Sequence, residues 1–233
     1  MKYMTFNTQH CLNYLTREID FDKMAETILA QAPDVVGLNE MRGQGTHAEY
    51  TAQVETLARL TGMPYYYFAP AIEFPGGGPY GNGILSRYPI DSAETVLIPD
   101  PTEKKYSGRG NYETRCVCKA VIGGVTVLVT HMGLYPDEMV NAVSTVLAHV
   151  SDRRCVLMGD FNMTPDDPLL APIFDRLTDT AEGFCADKLS FPSDAPDRKI
   201  DYIFASRDAT VRFADIPAVV ASDHRPHVAT VEF

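Results

Sequence analysis

The chain has 233 residues, 45% of them hydrophobic and 22% charged, with a formal net charge of −11. That length and apolar content suit one ordinary globular domain spanning residues 1–233. The acidic balance excludes the broad basic surface that tracks long nucleic acid, while leaving open an enzyme that holds phosphate through a metal ion.

In chain order, KYMTFN alternates as a strand ending near Asn7. An amphipathic helix follows, capped by Asp20 or Asp22, with Phe21, Met24 and Ile28 at helical spacing and Pro33 as its stop. DVVGLNE is a short apolar run delivering Asn39 and Glu40 at its tip. The stretch THAEYTAQVETLARLTG predicts a second helix over 46–62, with Tyr50, Val54 and Leu57 on one face and Gly62 ending it. PYYYFAPA reads as a strand, EFPGGGPYGNG as a glycine-rich mobile loop, and GILSRYPI with SAETVLI as paired strands. ETRCVCKAVIGGVTVLVTHMG is the clearest hairpin, turning at Gly123-Gly124 and ending in Thr130-His131. A helix from Pro136 to Val150, the strand RCVLMGD, a short helix around 168–177, and the strands KIDYIFAS, TVRFADIP and HRPHVATVEF complete the order.

Hairpins among dominant strands rule out an all-parallel sheet and point to a layered α/β fold with mixed or antiparallel sheets. GGGPYGNG has neither the lysine nor the strand–helix setting of a phosphate loop. The longest apolar run falls short of the roughly 18 residues of a membrane span, and MKYMTFNTQH carries no secretory pattern. A cytoplasmic location is expected, with a trimmed export signal as the alternative. Cys11, Cys116, Cys118, Cys155 and Cys185 lack the second pair and neighbouring histidines of a zinc site, and read as free buried thiols.

A repeated pattern carries more information than any single element. Strand after strand ends in a polar residue: Asn7, Glu40, His131, Asp160 with Asn162, Asp201, and Asp223-His224. In VLMGDFNMTPDD an apolar run drives into a glycine and then offers Asp160 and Asn162, two apart, a spacing that on extended backbone turns both to one side. They cap the loop ahead or share a ligand. One such aspartate alone reads as a cap. Asp201, inside the apolar KIDYIFAS, needs a partner wherever it is buried.

GDFN, followed by DYIF and SDH, with the early Asn7, the NE tip and YGNGILSRYPI, resembles the endonuclease/exonuclease/phosphatase superfamily in order and over nearly the whole chain. The resemblance implies an α/β (α+β) four-layer sandwich, two mixed or antiparallel sheets face to face with helices outside. It implies metal-dependent hydrolysis of a phosphomonoester or phosphodiester, with Mg²⁺ as cofactor and Mn²⁺ as the alternative. By position, Glu40 looks like the main metal ligand with Asn7 and Asp223 nearby. His224 would pair with Asp201, Asp160 would activate or orient water, and Asn162 and His131 would hold phosphate oxygens. Asn82 occupies the family's usual strand position and, with Arg109 and Arg115, would bind substrate.

The sequence departs from the pattern at Asn39, where many members carry glutamine, and at Gln9, where abasic endonucleases carry a metal-binding aspartate. Lys104, Lys105 and Arg109 form the one notable basic cluster, either a solvated loop or a substrate loop from which Arg115 reaches a phosphate. Three readings follow: a monomeric hydrolase of a small or lipid-like phosphoester, a nuclease of the same fold, or a catalytically dead binding module. The chemically competent residues at each motif position argue against the third.

Overall fold

The computed structural model describes residues 1–108, 110–185 and 188–233. Its strands are β1 (Lys2–Asn7), β2 (Val35–Arg42), β3 (Tyr65–Glu73), β4 (Pro79–Ser86), β5 (Ile90–Leu97) and β6 (Cys116–Ile122). They continue with β7 (Val125–His131), β8 (Cys155–Asp160), β9 (Leu177–Asp179), β10 (Asp201–Ser206), β11 (Thr210–Asp215) and β12 (His227–Glu232). The helices are α1 (Phe21–Gln31), α2 (Gln53–Thr61), α3 (Pro136–His149) and α4 (Ala171–Arg176).

Two six-stranded mixed sheets result, in the orders β11-β12-β1-β2-β4-β3 and β5-β6-β7-β8-β10-β9. Their inner faces meet through Tyr3, Val35, Ile84, Val129, Val156, Met158 and Ile203. On the outer face of the first sheet, Met24 and Ile28 of α1 and Leu57 of α2 pack against Met4, Phe6 and Leu38. On the outer face of the second, Met139 and Val146 of α3 and Ile173 of α4 cover Leu128, Leu157 and Phe204. This is the expected four-layer sandwich. Strands such as β8 are buried on both faces, which explains the unbroken apolar run of CVLM in place of alternation.

Register sets the site. β1 and β2 are parallel, with Asn7 opposite Asn39. β7 and β8 are parallel, with His131 opposite Asp160, and β10 runs antiparallel to β8 with Asp201 opposite the same Asp160. The polar tips therefore emerge at one end of both sheets: β1, β7 and β8 finish there, whereas β10, running antiparallel, begins there at Asp201 instead of ending in it.

The Gly123-Gly124 turn joins β6 to β7 with φ of 56° and 73°, the double left-handed geometry of a tight hairpin. Asp20 caps α1 by accepting the Lys23 backbone N–H at 2.9 Å. All five cysteines are unpaired, four of them buried.

Several local expectations need correction. The second helix begins only at Gln53, so Tyr50 lies on no helical face. Tyr50 instead holds a loop, its backbone C=O accepting the Gly45 N–H and its ring 5.0 Å from the Arg42 guanidinium. Much of the glycine-rich stretch is strand, since β4 starts at Pro79. A Cβ at Gly81 would fall 2.0 Å from the Ala69 carbonyl oxygen, so close strand approach accounts for that glycine. GILSRYPI and SAETVLI do not pair, because the chain crosses between sheets at 87–89 and β5 joins β6. β9 was not foreseen, three residues being too short for a periodic signal.

Candidate active site

Asp160 is the convergence point. Its Oδ2 accepts an N–H from the Asn7 amide at 3.0 Å and lies 3.6 Å from both His131 Nε2 and His224 Nε2. Its Oδ1 accepts the Asn162 backbone N–H at 2.9 Å. His224 turns its other nitrogen, Nδ1, to Asp201 Oδ2 at 2.9 Å. Asn7 also donates to Glu40 Oε1 at 3.0 Å, so its single amide links the carboxylates of Glu40 and Asp160.

The local backbone explains how these groups arrive. Gly159 has φ of 145°, and a Cβ there would sit 1.8 Å from the Thr130 carbonyl oxygen. Only glycine lets β8 run so close to β7, which accounts for the G of GDFN. Asn162 and Asp160 do reach one place, but not by extended pleating. The strand stops at Asp160, and Asn162 takes a left-handed φ of 53°, its amide donating to the Met132 carbonyl at 3.0 Å. Glu40 is also left-handed, φ 62°, where the pairing of β2 with β4 slips between Leu38 and Met41. This bulge turns Glu40 out of the ladder.

Electrostatics separate the two histidines. Burial opposes charge on His224, yet Asp201 and Asp160 outweigh it and raise its pKa, so the ring is an imidazolium at neutral pH. His131 is driven the other way, well below the usual histidine range, by burial and by the positive charges of Arg115 and His224. Burial raises the Asp160 carboxyl, Asp201 adds to that rise, and the His224 charge opposes it.

Of the residues singled out from the sequence, Asn7, Glu40, His131, Asp160, Asn162, Asp201 and His224 come together through these contacts. Asp223 adjoins them, its charge helping to raise His224 and its Oδ1 accepting the Ser222 hydroxyl at 2.9 Å. Asn82 stands one layer back. It is buried, its Oδ1 accepts from Asn39 at 2.8 Å, and its Nδ2 donates to the Cys116 carbonyl at 2.9 Å, so its amide is engaged within the protein. Arg115 turns to His131 Nδ1 and to Glu113, each at 3.0 Å. Arg109 lies outside the described residues. Lys104 sits 5.3 Å from the centre of the Tyr112 ring, and the Lys105 backbone faces Asp137 of α3.

Three further residues contribute: Asn39, which the sequence marks only as a strand tip and a family variant, and Tyr80 and Phe191, to which it assigns no role. Asn39 is wholly buried and ties both sheets together beneath the site. It donates to Asn82 Oδ1 and, at 2.9 Å, to the Thr130 carbonyl, and accepts the Asp160 backbone N–H at 3.1 Å. A second amide inside the apolar run VVGLNE was the available signal. Tyr80 lies beside Glu40, and burial together with that charge pushes its hydroxyl well above the usual range. Phe191 packs against His224 at 4.7 Å between ring centres. Tyr80 opens the motif YGNGILSRYPI, but Phe191 stands in no recognisable motif.

A family model for the endonuclease/exonuclease/phosphatase family matches residues 4–224. The chain belongs to the endonuclease/exonuclease/phosphatase family. Family members hydrolyse phosphoesters and generally depend on a divalent metal. The chain is similar to the protein YbhP of Escherichia coli strain K12, 25% identical over 249 aligned positions covering 99% of this chain and 95% of that protein. It also resembles the endonuclease/exonuclease/phosphatase structure from Beutenbergia cavernae, with TM-score 0.79 and 25% identity over 99% of this chain and 71% of that one. The mannosyl-6-phosphatase of Bacteroides thetaiotaomicron shares the fold, with TM-score 0.74, 15% identity and full coverage of both chains.

The site's composition suits such a cation. Asp160, Asp201 and Asp223 gather around one imidazolium, with Glu40 joined to them through Asn7, a field that repels an anionic ester until positive charge is added. Glu40 supplies hard carboxylate oxygens of the kind Mg²⁺ prefers, while Asn7 faces it with Nδ2 and accepts the Gln9 backbone N–H on Oδ1 at 3.0 Å. The Asp160, Asp201 and His224 ligand atoms lie within 4.8 Å of one another, but His224 already bridges those two carboxylates as a cation. The Glu40 side of the site fits a metal better.

Proposed function

We propose that this protein is a Mg²⁺-dependent phosphohydrolase that opens a phosphoester by in-line attack of water, acting on a small or lipid-like substrate. The observation that carries the reading is the set of contacts on Asp160: an amide, two imidazoles and a backbone N–H around one buried carboxylate. Such a carboxylate orients a water and takes its proton. Glu40, Asn7 and Asp223 would hold the metal, which when bound polarises the phosphoryl oxygen. His131 and Asn162 present N–H groups to non-bridging oxygens, and His224, kept charged by Asp201, supplies a cation at the same phosphate.

Substrate size follows from charge and space. A cleft of about 560 Å³, lined by residues including Leu134, Asn162, Met163, Thr164 and Arg198, opens beside Asn162. Such a volume suits a small ligand. The net charge of −11 disfavours polynucleotide, and the seat of the Lys104 ammonium over the Tyr112 ring gives the nuclease reading little support.

The test is hydrolysis of bis(p-nitrophenyl) phosphate and of p-nitrophenyl phosphate, with Mg²⁺, with Mn²⁺ and with chelator, beside Asp160→Asn. Metal-dependent turnover that Asp160→Asn abolishes is the expected result. Diester turnover assigns a phosphodiesterase and monoester turnover a phosphatase. Silence on both, with no metal bound by calorimetry, overturns the proposal in favour of a binding module.

A further inference from the structure

Arg115 makes two contacts that restrict its neighbour. Its side chain is only 12% exposed, and one terminal nitrogen is held by Glu113 Oε2 at 3.0 Å. The other terminal nitrogen lies 3.0 Å from His131 Nδ1. A guanidinium can only donate, so Nδ1 must accept, and a neutral ring then carries its one proton on Nε2.

That proton meets a second donor. His131 Nε2 is 3.2 Å from Asn162 Nδ2, and the same Nδ2 donates to the Met132 carbonyl at 3.0 Å. Flipping the Asn162 amide would set its oxygen against that carbonyl, acceptor against acceptor. The group Arg115–His131–Asn162 thus holds more N–H donors than acceptors, with Asp160 Oδ2 at 3.6 Å the remaining oxygen near the ring. An anionic oxygen placed between the ring and the amide would satisfy both donors.

We propose that Arg115 is a positioning residue: it locks His131 as the neutral Nε2–H tautomer, so that His131 and Asn162 present paired N–H groups to a non-bridging phosphate oxygen. This rests on the phosphohydrolase reading for its substrate, though the lock itself does not. Burial and the nearby positive charges keep the ring neutral, in agreement with the lock. The role differs from that of a side chain binding phosphate directly, since Arg115 acts through the imidazole.

Long-range ¹⁵N–¹H correlation spectra of the labelled protein at neutral pH, without substrate or metal, read the tautomer. In the wild type, His131 should show an acceptor-type Nδ1 and a protonated Nε2. Arg115→Gln, which can accept as well as donate, should mix the tautomers, and Arg115→Lys, again an obligate donor, should restore Nε2–H. In turnover, Arg115→Gln should lower kcat by about 10²-fold, the scale of one lost oxyanion donor, with KM nearly unchanged. A wild-type ring protonated on Nδ1 or on both nitrogens overturns the proposal. So does an Arg115→Gln spectrum unchanged from wild type, or a loss expressed in KM alone. The wild-type spectrum tests the lock whatever the stability of the variants. Absence of any phosphoester hydrolysis would remove the phosphohydrolase reading and leave the tautomer result standing.

Discussion

The side-chain oxygen of Asn39 accepts the backbone N–H of Asp160 at 3.1 Å, so a residue of one sheet fixes the last residue of a strand in the other. The same amide donates to Asn82 and to the Thr130 carbonyl, and all four groups are buried. Truncating it leaves one donor and two acceptors without partners in a dry region. Asn39→Ala should therefore lose about 2–4 kcal/mol of stability by urea unfolding. Combined with Asn82→Ala in a double-mutant cycle, it should show coupling above about 0.5 kcal/mol. Additive losses would mean that the two amides do not act as one network.

Asp160→Asn and His224→Ala should separate chemistry from stability. The asparagine keeps the shape of Asp160 and removes a charge that burial already disfavours, while losing one acceptor, so stability should move by no more than about 1 kcal/mol. Activity should fall by about 10³-fold or more, the scale of a lost general base. His224→Ala instead leaves Asp160 and Asp201 buried together without their shared cation. It should cost about 3–5 kcal/mol, as when one partner of a buried ion pair is removed. Retained activity in Asp160→Asn would displace it from the chemistry.

The legibility of this chain in sequence followed the physics of each element. Asp160 and Asp201 stand out because a charged residue at either end of an apolar strand has no packing explanation, and strand order then fixes which tips meet. His224 ends no strand and lies in the loop before β12. What sequence missed depends on pairing. The separation of β4 from β5 into different sheets follows from a crossover at 87–89 that no local periodicity encodes. Asn162 was assigned correctly to the side of Asp160 for the wrong reason, since a left-handed residue does the work that an extended spacing was expected to do. Asn39 looked like a mild variant of a family glutamine, and its value lies in three hydrogen bonds, one within its own sheet and two crossing to the other.

Glu40 offers the cleanest test of the metal assignment. It is half-buried and sits on a bulge, so Glu40→Ala disturbs little packing. Titration with Mn²⁺ followed by calorimetry should show affinity weakened by more than about tenfold, beyond what loss of an outer partner produces at its mildest. The same titration on Asp201→Asn should be much closer to wild type, because Asp201 is engaged with His224. The reverse order of effects would move the metal to the Asp160–Asp201–His224 cluster.

Acid should destabilise the fold through its buried, depressed histidines. Burial, and then the charge of Arg42, lower His10 to about 4, while burial and then Lys199 hold His227 well below the usual histidine range. Both folded-state values are depressed, so each ring contributes stability that is complete above about pH 6.5, the unfolded value, and is lost as pH falls through that value toward the folded one. His224 has the opposite sign, its folded pKa being raised, so its contribution is complete below about pH 6.5 and fades only on the alkaline side. Unfolding free energy should thus decline from pH 6.5 to pH 4, each depressed histidine contributing at most about 1.4 kcal/mol per pH unit. His131 adds to the decline, and the raised Asp160 carboxyl opposes it. His10→Asn should flatten that decline, because asparagine tolerates the left-handed backbone at this position, φ 48°, and does not titrate. A profile that stays level down to pH 4 would show that these rings are free to protonate in the folded protein, and a decline that His10→Asn leaves untouched would show it of His10.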